Sequence, residues 1–392
     1  MTSSMAWRVV KIGALGRVVT GKTPPSAKPE LFGDAHPFIT PTDIDGVSRT
    51  VATDRFIAEE GAAAFKNQMI PAGAVCFVCI GATIGKMCIA TRRSLTNQQV
   101  NSIVVDETSH DPTYVFYALR QIAPDVKGLA GGAATPIISK SNFSDISIRV
   151  APLWQQRRIA SILSAYDDLI ENNTRRIAIL EEMAGRIYEE WFVRFRFPGH
   201  EGVRMVESEL GLVPEGWSLR RLGDEIELAY GKALKAEDRR LGDVPVYGSS
   251  GVVGAHDMFL VAGPGIIVGR KGNVGSVHWS EVRFFPIDTV YYVVTDLPLH
   301  YVYFNLQRQN FLNNDAAVPG LNRNQAYSLP LVVPAPAALD AFESHCQRLL
   351  GLARLLARKN ENLRATRDLL LPKLISGELD VSTLPEPQAL AA

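Results

Sequence analysis

The sequence predicts an α+β fold. Two structurally similar mixed α/β domains should lie at opposite ends of two long helices that pair as an antiparallel coiled coil, with a pseudo-twofold relating the halves. Three observations predict this. The chain repeats itself across most of its 392 residues. Each copy runs into a long segment with an apolar rhythm of four and three. The two rhythms match when one of them is reversed. The implied divisions are a first globular domain (1–151), a first long spacer helix (152–196), a linker (197–216), a second globular domain (217–335), a second long spacer helix (336–376) and a C-terminal tail (377–392).

The repeat opens each globular domain. WRVVKIGALGRVVTGKTP begins at Trp7 and WSLRRLGDEIELAYGKAL begins at Trp217, and both place Gly-Lys fourteen residues after the Trp, at Gly21-Lys22 and Gly231-Lys232. GAVCFVCIGATIGKMCIA (from Gly73) pairs with GPGIIVGRKGNVGSVHWS (from Gly263), each read as strand, glycine turn and strand. TYVFYALRQ (from Thr113) and HYVYFNLQR (from His300) read as short amphipathic helices, and Gly131 to Pro152 pairs loosely with Asn314 to Pro334. The join from Phe197 to Trp217 is punctuated by Gly and Pro and reads as a linker. The residues after Asp380, VSTLPEPQALAA, read as a disordered tail.

GRVVTGKT (Gly16 to Thr23) fits the string used to find phosphate-binding loops. Its surroundings argue against that use. The interior Arg17-Val18-Val19-Thr20 is extended in character, and Pro24-Pro25 blocks the helix that a phosphate loop must open. In the second copy Gly16 becomes Ile226 and Thr23 becomes Ala233. A strand ending in a turn at Gly21-Lys22 is the better reading.

The first long segment carries Ile159, Leu163, Tyr166, Ile170, Asn173, Ile177, Leu180, Ala184, Ile187 and Trp191 at spacings of four and three. The second carries Phe342, Cys346, Leu349, Ala353, Leu356, Asn360, Leu363, Arg367, Leu370 and Leu374. Laid antiparallel with Ile159 opposite Leu374, Asn173 faces Asn360 and Tyr166 faces Arg367. A buried Asn costs stability unless partnered, and an Asn pair fixes register. The first seam would span roughly 48 Å at about 1.5 Å per residue. Two unlike readers held by such a ruler suit duplex DNA, which advances about 3.4 Å per base pair, with major-groove contacts about one helical turn or slightly more apart.

Composition bounds the class without choosing the partner. Lys+Arg and Asp+Glu are both 41, so the net charge is zero, and patches matter more than totals. Four cysteines in 392 residues are no disulfide framework, and a reduced cytoplasmic setting is expected. MTSSMAWRVVKIG lacks the apolar run of a signal peptide, and nothing approaches the roughly 18 uninterrupted apolar residues of a membrane span. Cys76-Phe-Val-Cys79 lies in an extended run whose alternation sends positions three apart to opposite faces. Both are expected in the core rather than on zinc, and no metal site is expected.

The candidate DNA contacts are polar residues in turns, chosen because Arg, Lys, Asn and Gln suit base edges and phosphates. They are Lys22 and Lys232 at equivalent strand ends; Arg92 and Arg93 with Gln98 just beyond; Arg270, Lys271 and Asn273 in the second glycine turn; and Asn322, Arg323 and Asn324, matched in the first copy by Lys140, Ser141 and Asn142. No adenine-methyltransferase Asn-Pro-Pro-aromatic motif, Gly-x-Gly-x-x-Gly cofactor loop, nuclease or helicase motif stands out, and no catalytic residue is assigned. Trp154, Tyr188 and Trp191 are candidates for partner surface, with full occupation by the seam as the alternative for Trp191.

The chain resembles the specificity subunits of type I restriction-modification systems. The residues carrying the likeness are VPEGW (from Val213), QQRRIASILSAYDDLIENNTRRI (from Gln155) and LLLPKLISGELDV (from Leu369), and it extends over nearly the whole chain, repeat included. The family's Glu-Gln at the start of the first helix is Gln155-Gln156 here, and Ala337 to Leu350 lacks the pair. The resemblance implies two target-recognition domains, each reading half of a split site on double-stranded DNA, and paired helices that set the gap. It implies a non-catalytic chain that binds no cofactor itself. Its partners would be two copies of a methyltransferase subunit that uses S-adenosylmethionine to methylate adenine at N6, and a restriction/translocase subunit that uses ATP and Mg. Two other classes remain in view: a coiled-coil scaffold without DNA readout, and a phosphate-loop nucleotide hydrolase.

Overall fold

The structure, a computed structural model, describes residues 7–129, 136–311 and 320–382. The chain divides into two units: the first holds residues 1–175 and 356–392, the second 176–355. The globular part of the first contains β1 (Arg8–Lys11), β2 (Gly16–Thr20), β3 (Phe32–Ile39), β4 (Phe56–Ile57), α1 (Glu59–Ala64), β5 (Val75–Val78), β6 (Met87–Ile89), β7 (Leu95–Thr96), β8 (Val100–Val105), α2 (Pro112–Leu129), α3 (Lys140–Asp145) and β9 (Ser147–Val150). Helix α4 (Leu153–Tyr188) follows and runs on into the second unit.

The second unit continues with β10 (Met205–Ser208), β11 (Gly211–Pro214), β12 (Ser218–Arg221), α5 (Leu222–Glu225), β13 (Ile226–Tyr230), β14 (Val244–Gly248), β15 (Gly251–His256), β16 (Gly265–Gly269) and β17 (Val277–Ser280). Next come β18 (Phe285–Pro286), β19 (Val290–Thr295), α6 (Leu299–Arg308), α7 (Arg323–Ser328) and β20 (Pro330–Val333). Helix α8 (Pro336–Ser376) leads back into the first unit.

The repeat is structural. The first unit holds a four-stranded sheet β2-β8-β5-β6, a three-stranded sheet β4-β3-β7 and the pair β1-β9; the second holds β13-β19-β16-β17, β15-β14-β18 and β12-β20. Register repeats as well. Thr20 pairs with Asn101 as Tyr230 pairs with Tyr291, and Phe77 pairs with Asn101 as Val268 pairs with Tyr291. In each unit a helix packs on the four-stranded sheet. α2 is longer than the nine-residue repeat suggests, continuing to Leu129 through Pro124. Residues 131–135 and 314–319 of the loosely matched segment lie outside the described residues.

In the first unit α4 and α8 run antiparallel. The Asn173 amide donates to Asn360 Oδ1 at 2.9 Å, and Asn360 donates to the Ile170 carbonyl and the Thr174 hydroxyl, both at 3.2 Å. The expected register therefore holds at the asparagines. Next to Tyr166 the seam carries an ion pair that the rhythm did not include: Arg367 is 2% exposed and paired with Asp167. A buried guanidinium needs a carboxylate, and Asp167 sits one residue, about 100° of helix, past the apolar rhythm. Tyr117 of α2 donates its hydroxyl to the same carboxylate. Burial, reinforced by that negative charge, pushes the Tyr117 phenol far above its ordinary range. Gln156 joins α4 to the start of α2, accepting from the Asp111 amide at 3.0 Å and donating to the Ala151 carbonyl at 2.7 Å.

In the second unit the facing segments meet through rings. Tyr188, Trp191 and Phe192 surround Phe342 with centroids 5.9, 6.2 and 5.0 Å away. Two further expectations are corrected. The join at 197–216 is not a bare linker: β10 and β11 form a hairpin closed at Ser208 and Gly211. Alternating Met205-Val206-Glu207-Ser208 and Gly211-Leu212-Val213 can pair across Glu209-Leu210, and Val213 is buried with Phe197 and Trp217. The tail does not come free at Asp380, because Val381 is 2% exposed within the first unit's core, while 383–392 lie outside the described residues.

Candidate nucleic-acid interface

Gly16 to Thr23 forms no phosphate loop. Residues Gly16–Thr20 are strand β2, and Gly21 follows in extended chain. The two Gly-Lys steps instead serve a close backbone approach. A Cβ on Gly21 would stand 2.2 Å from the Thr96 carbonyl oxygen, and one on Gly231 would stand 2.1 Å from the Ile287 carbonyl oxygen. Only glycine fits. The next residue then donates its amide across the gap, Lys22 to Thr96 at 2.8 Å and Lys232 to Pro286 at 3.0 Å. Both lysine side chains are exposed at these matched places. The Lys22 ammonium lies 5.8 Å from the Phe65 ring centroid.

Around the end of β13 the second unit gathers arginines on tyrosines. Tyr230 is 50% exposed. The Arg270 guanidinium lies 5.0 Å from its ring centroid and that of Arg323 lies 5.1 Å away. Arg270 is also 5.9 Å from Tyr291, and Arg323 is 5.7 Å from Tyr327. Tyr230 and Tyr291 meet edge to face at 5.0 Å. Each cation faces π density, an attraction that strengthens as water is excluded. Arg270 Nη1 donates to the Asp288 carbonyl at 3.0 Å, which fixes one edge of the fork. Tyr327 is anchored by its hydroxyl, which accepts from the Leu228 amide at 2.9 Å. Burial, followed by the Tyr230 hydroxyl, holds the Tyr291 phenol above its usual range.

The same positions in the first unit carry other chemistry. The equivalences follow from shared backbone bonds. Ile138 N–H reaches the Cys79 carbonyl as Leu321 N–H reaches that of Arg270, and Cys79 N–H reaches Gln99 as Arg270 N–H reaches Thr289. Cys79 therefore stands where Arg270 stands, Thr20 for Tyr230 and Asn101 for Tyr291. The Thr20 hydroxyl donates to Asn101 Oδ1 at 2.6 Å, and the Asn101 amide donates to Cys79 Sγ at 3.2 Å. Asn101 and Cys79 are buried, and burial, partly offset by the Asn101 bonds, pushes the Cys79 thiol up to about 11.

Sequence reasoning placed the last polar cluster in turns, and the structure moves it to helix starts. Ser139 caps α3, accepting from the Asn142 amide at 3.1 Å. Asn322 caps α7, accepting from the Asn324 and Gln325 amides at 3.0 and 3.2 Å. The match thus shifts by one: Asn322 corresponds to Ser139, Arg323 to Lys140 and Asn324 to Ser141. The polar residues were read as turn formers, yet Ser and Asn equally favour the N-cap. Lys140, Ser141 and Asn324 are exposed in the first turns of these helices, and the Ser141 hydroxyl lies 2.9 Å from that of Ser139.

The remaining candidates divide. Gln98 is exposed and its Oε1 accepts from the Thr23 hydroxyl at 2.6 Å, so it sits beside Lys22. Lys271 and Asn273 are exposed in the β16–β17 turn; Lys271 bridges to Gly320, and the Asn273 amide donates to Ser249 Oγ at 3.3 Å. Arg92 is held over Phe56 of β4 at 5.2 Å, in the three-stranded sheet, and Arg93 is exposed next to it. Tyr230, Tyr291 and Tyr327 were missed. The signal was Tyr at the residue before Gly231-Lys232, one step from a candidate already chosen.

Of the proposed partner surface, Trp154 is 47% exposed, but Tyr188 and Trp191 are buried in the ring cluster. Cys76 and Cys79 occupy different core clusters, as the alternation from β5 into the residue after it requires. Among the described residues no group of three or more His, Cys, Asp or Glu could hold a metal, and no helix is long and apolar enough to cross a membrane.

Comparison with known proteins gives one direction. The sequence pattern of the family described as "Type I restriction modification DNA specificity domain" matches residues 5–182. The type I restriction enzyme MjaIX specificity subunit of Methanocaldococcus jannaschii is 27% identical over 414 residues, covering 96% of this chain and 94% of that protein. The HindI specificity subunit of Haemophilus influenzae is 30% identical over 174 residues, covering 42% of this chain and 38% of the relative. The crystal structure of an S subunit from M. genitalium superposes with a TM-score of 0.61 at 16% identity, covering 95% of this chain and 97% of that one.

Proposed function

We propose, for a chain that belongs to the family of type I restriction-modification specificity subunits, that it is the sequence-specific DNA-recognition subunit of such a complex. Each unit reads one half of a bipartite site. The paired helices set the gap between the halves and dock methyltransferase subunits. The observation that carries this reading is the doubled scaffold: the same sheet order and register twice, with different side chains at the equivalent strand end. A doubled frame with unlike tips suits two unlike half-sites.

Several finer assignments belong to the same proposal. The methyltransferase is present in two copies and transfers a methyl group from S-adenosylmethionine to adenine N6. A restriction/translocase subunit supplies ATP- and Mg-dependent work. This chain contributes recognition and assembly, not catalysis. Exposed Trp154 belongs to the surface that partners cover. The DNA contacts are Lys22, Gln98, Lys140 and Ser141 in the first unit, and Lys232, Arg270, Lys271, Asn273, Arg323 and Asn324 in the second. Asn322 acts by capping α7, and Arg92 and Arg93 would touch the duplex only along its backbone.

Gel retardation tests the reading. Duplexes drawn from the host genome should be retarded by the chain with its methyltransferase, and selected fragments should share a split motif. The methyltransferase alone should show no such preference. Equal selection with and without the chain would refute the proposal.

A further inference from the structure

Three positions at the end of the four-stranded sheet and two on the short helix that follows correspond between the units and carry different chemistry. In the first they are Thr20, Cys79, Asn101, Lys140 and Ser144; in the second, Tyr230, Arg270, Tyr291, Arg323 and Tyr327. The first set is neutral apart from Lys140, and its Thr20–Asn101–Cys79 chain satisfies itself. The second set presents two guanidinium groups over one half-exposed tyrosine ring, neither in an ion pair among the described residues.

We infer that the Arg270–Tyr230–Arg323 cluster is a specificity-determining site that reads a guanine in the half-site of the second unit, and that the first unit reads no guanine from the equivalent place. The inference rests on the DNA-recognition reading above. Its physical basis is planarity. An arginine reads guanine by laying its fork flat against O6 and N7, two acceptors that no other base edge offers in that arrangement. Such a contact gains from a guanidinium held in place beforehand, and here both groups lie over the Tyr230 ring, 5.0 and 5.1 Å from its centroid. The Asp288 carbonyl also ties Arg270 Nη1, leaving the rest of that fork for a ligand. A phosphate also accepts an arginine fork, and the two contacts differ in their dependence on the base pair, which the test reads. Lys140, which stands where Arg323 stands, is a point charge suited to phosphate. Among the described residues no arginine occupies the matched positions of the first unit.

The test uses the purified complex of the full chain with its methyltransferase. Duplexes carrying the site are compared with duplexes in which each base pair is replaced in turn. The expected result is that the wild type loses about tenfold or more at one G·C pair in one half. Arg323→Gln or Arg270→Gln should bring that loss to within about threefold, with discrimination in the other half unchanged. Lys140→Gln should weaken all duplexes alike and reduce the salt dependence by about one contact. Unaltered discrimination in both arginine variants would overturn the inference. So would relaxation at an A·T pair, uniform weakening by the arginine variants, which marks a phosphate clamp, or loss spread evenly over both halves, which marks damaged folding. A wild-type complex that prefers no duplex would fail at the earlier step, the DNA-recognition reading itself.

Discussion

In the first unit α4 and α8 carry buried polar pairs within an otherwise apolar seam, while in the second the facing segments meet across aromatic rings. The first seam holds Asn173 with Asn360 and Asp167 with Arg367, all less than 10% exposed. The second holds Tyr188, Trp191, Phe192 and Phe342. Aromatic burial supplies stability without direction, since many registers bury rings. Polar pairs contribute little net stability but penalise every register that separates them. In each unit the helix segments are anchored to that unit's core, and in the first the polar pairs also fix their alignment.

Substitutions can break this comparison. Phe342→Ala should cost about 3–5 kcal/mol, because its ring is fully buried among four others. Urea unfolding followed by tryptophan fluorescence reads this, and a loss below about 1 kcal/mol would show that the ring cluster is not the anchor. Asp167→Ala leaves the buried Arg367 paired with the exposed Asp368 instead and should cost about 1.5–3 kcal/mol, whereas Asp167→Leu with Arg367→Met should recover most of the loss. A double variant as damaged as the single would mean that packing, not charge, matters there.

Asn173→Leu should cost about 1–3 kcal/mol, since it takes the donor from the buried Asn360 Oδ1. Asn173→Leu with Asn360→Leu should restore stability while loosening alignment, visible as faster amide exchange along α4 before Arg175. Unchanged exchange in the double variant would remove the register role. Trp154→Ala should shift stability by no more than about 0.5 kcal/mol yet weaken capture of the methyltransferase by about tenfold. Equal capture would take Trp154 off the partner surface.

Much of this was legible in the sequence, because it rests on spacing. The interval from Trp7 to Gly21-Lys22 recurs from Trp217, and each Gly-Lys marks a strand end pressed against a carbonyl. The reversed heptads found Asn173 and Asn360. What spacing could not show is where charge bends the pattern: Asp167 leaves the rhythm to meet Arg367. Nor could it separate an N-cap from a turn, since Ser139 and Asn322 suit both. The hairpin at Met205–Pro214 was hidden by the Gly and Pro that close and end it. The Tyr230 cluster was missed because its partners are distant in sequence, and only the sheet register brings Arg270 and Arg323 onto one ring.

The most direct test is a modified-base map of DNA from cells expressing this chain with its methyltransferase, against cells lacking the chain. The account predicts a split motif with two unlike halves, N6-methyladenine in each, and complete loss of the motif with the chain. Two identical halves would contradict the claim that the differing sheet tips read different sequences. No chain-dependent motif, with the methyltransferase expressed and active, would contradict DNA recognition by this chain.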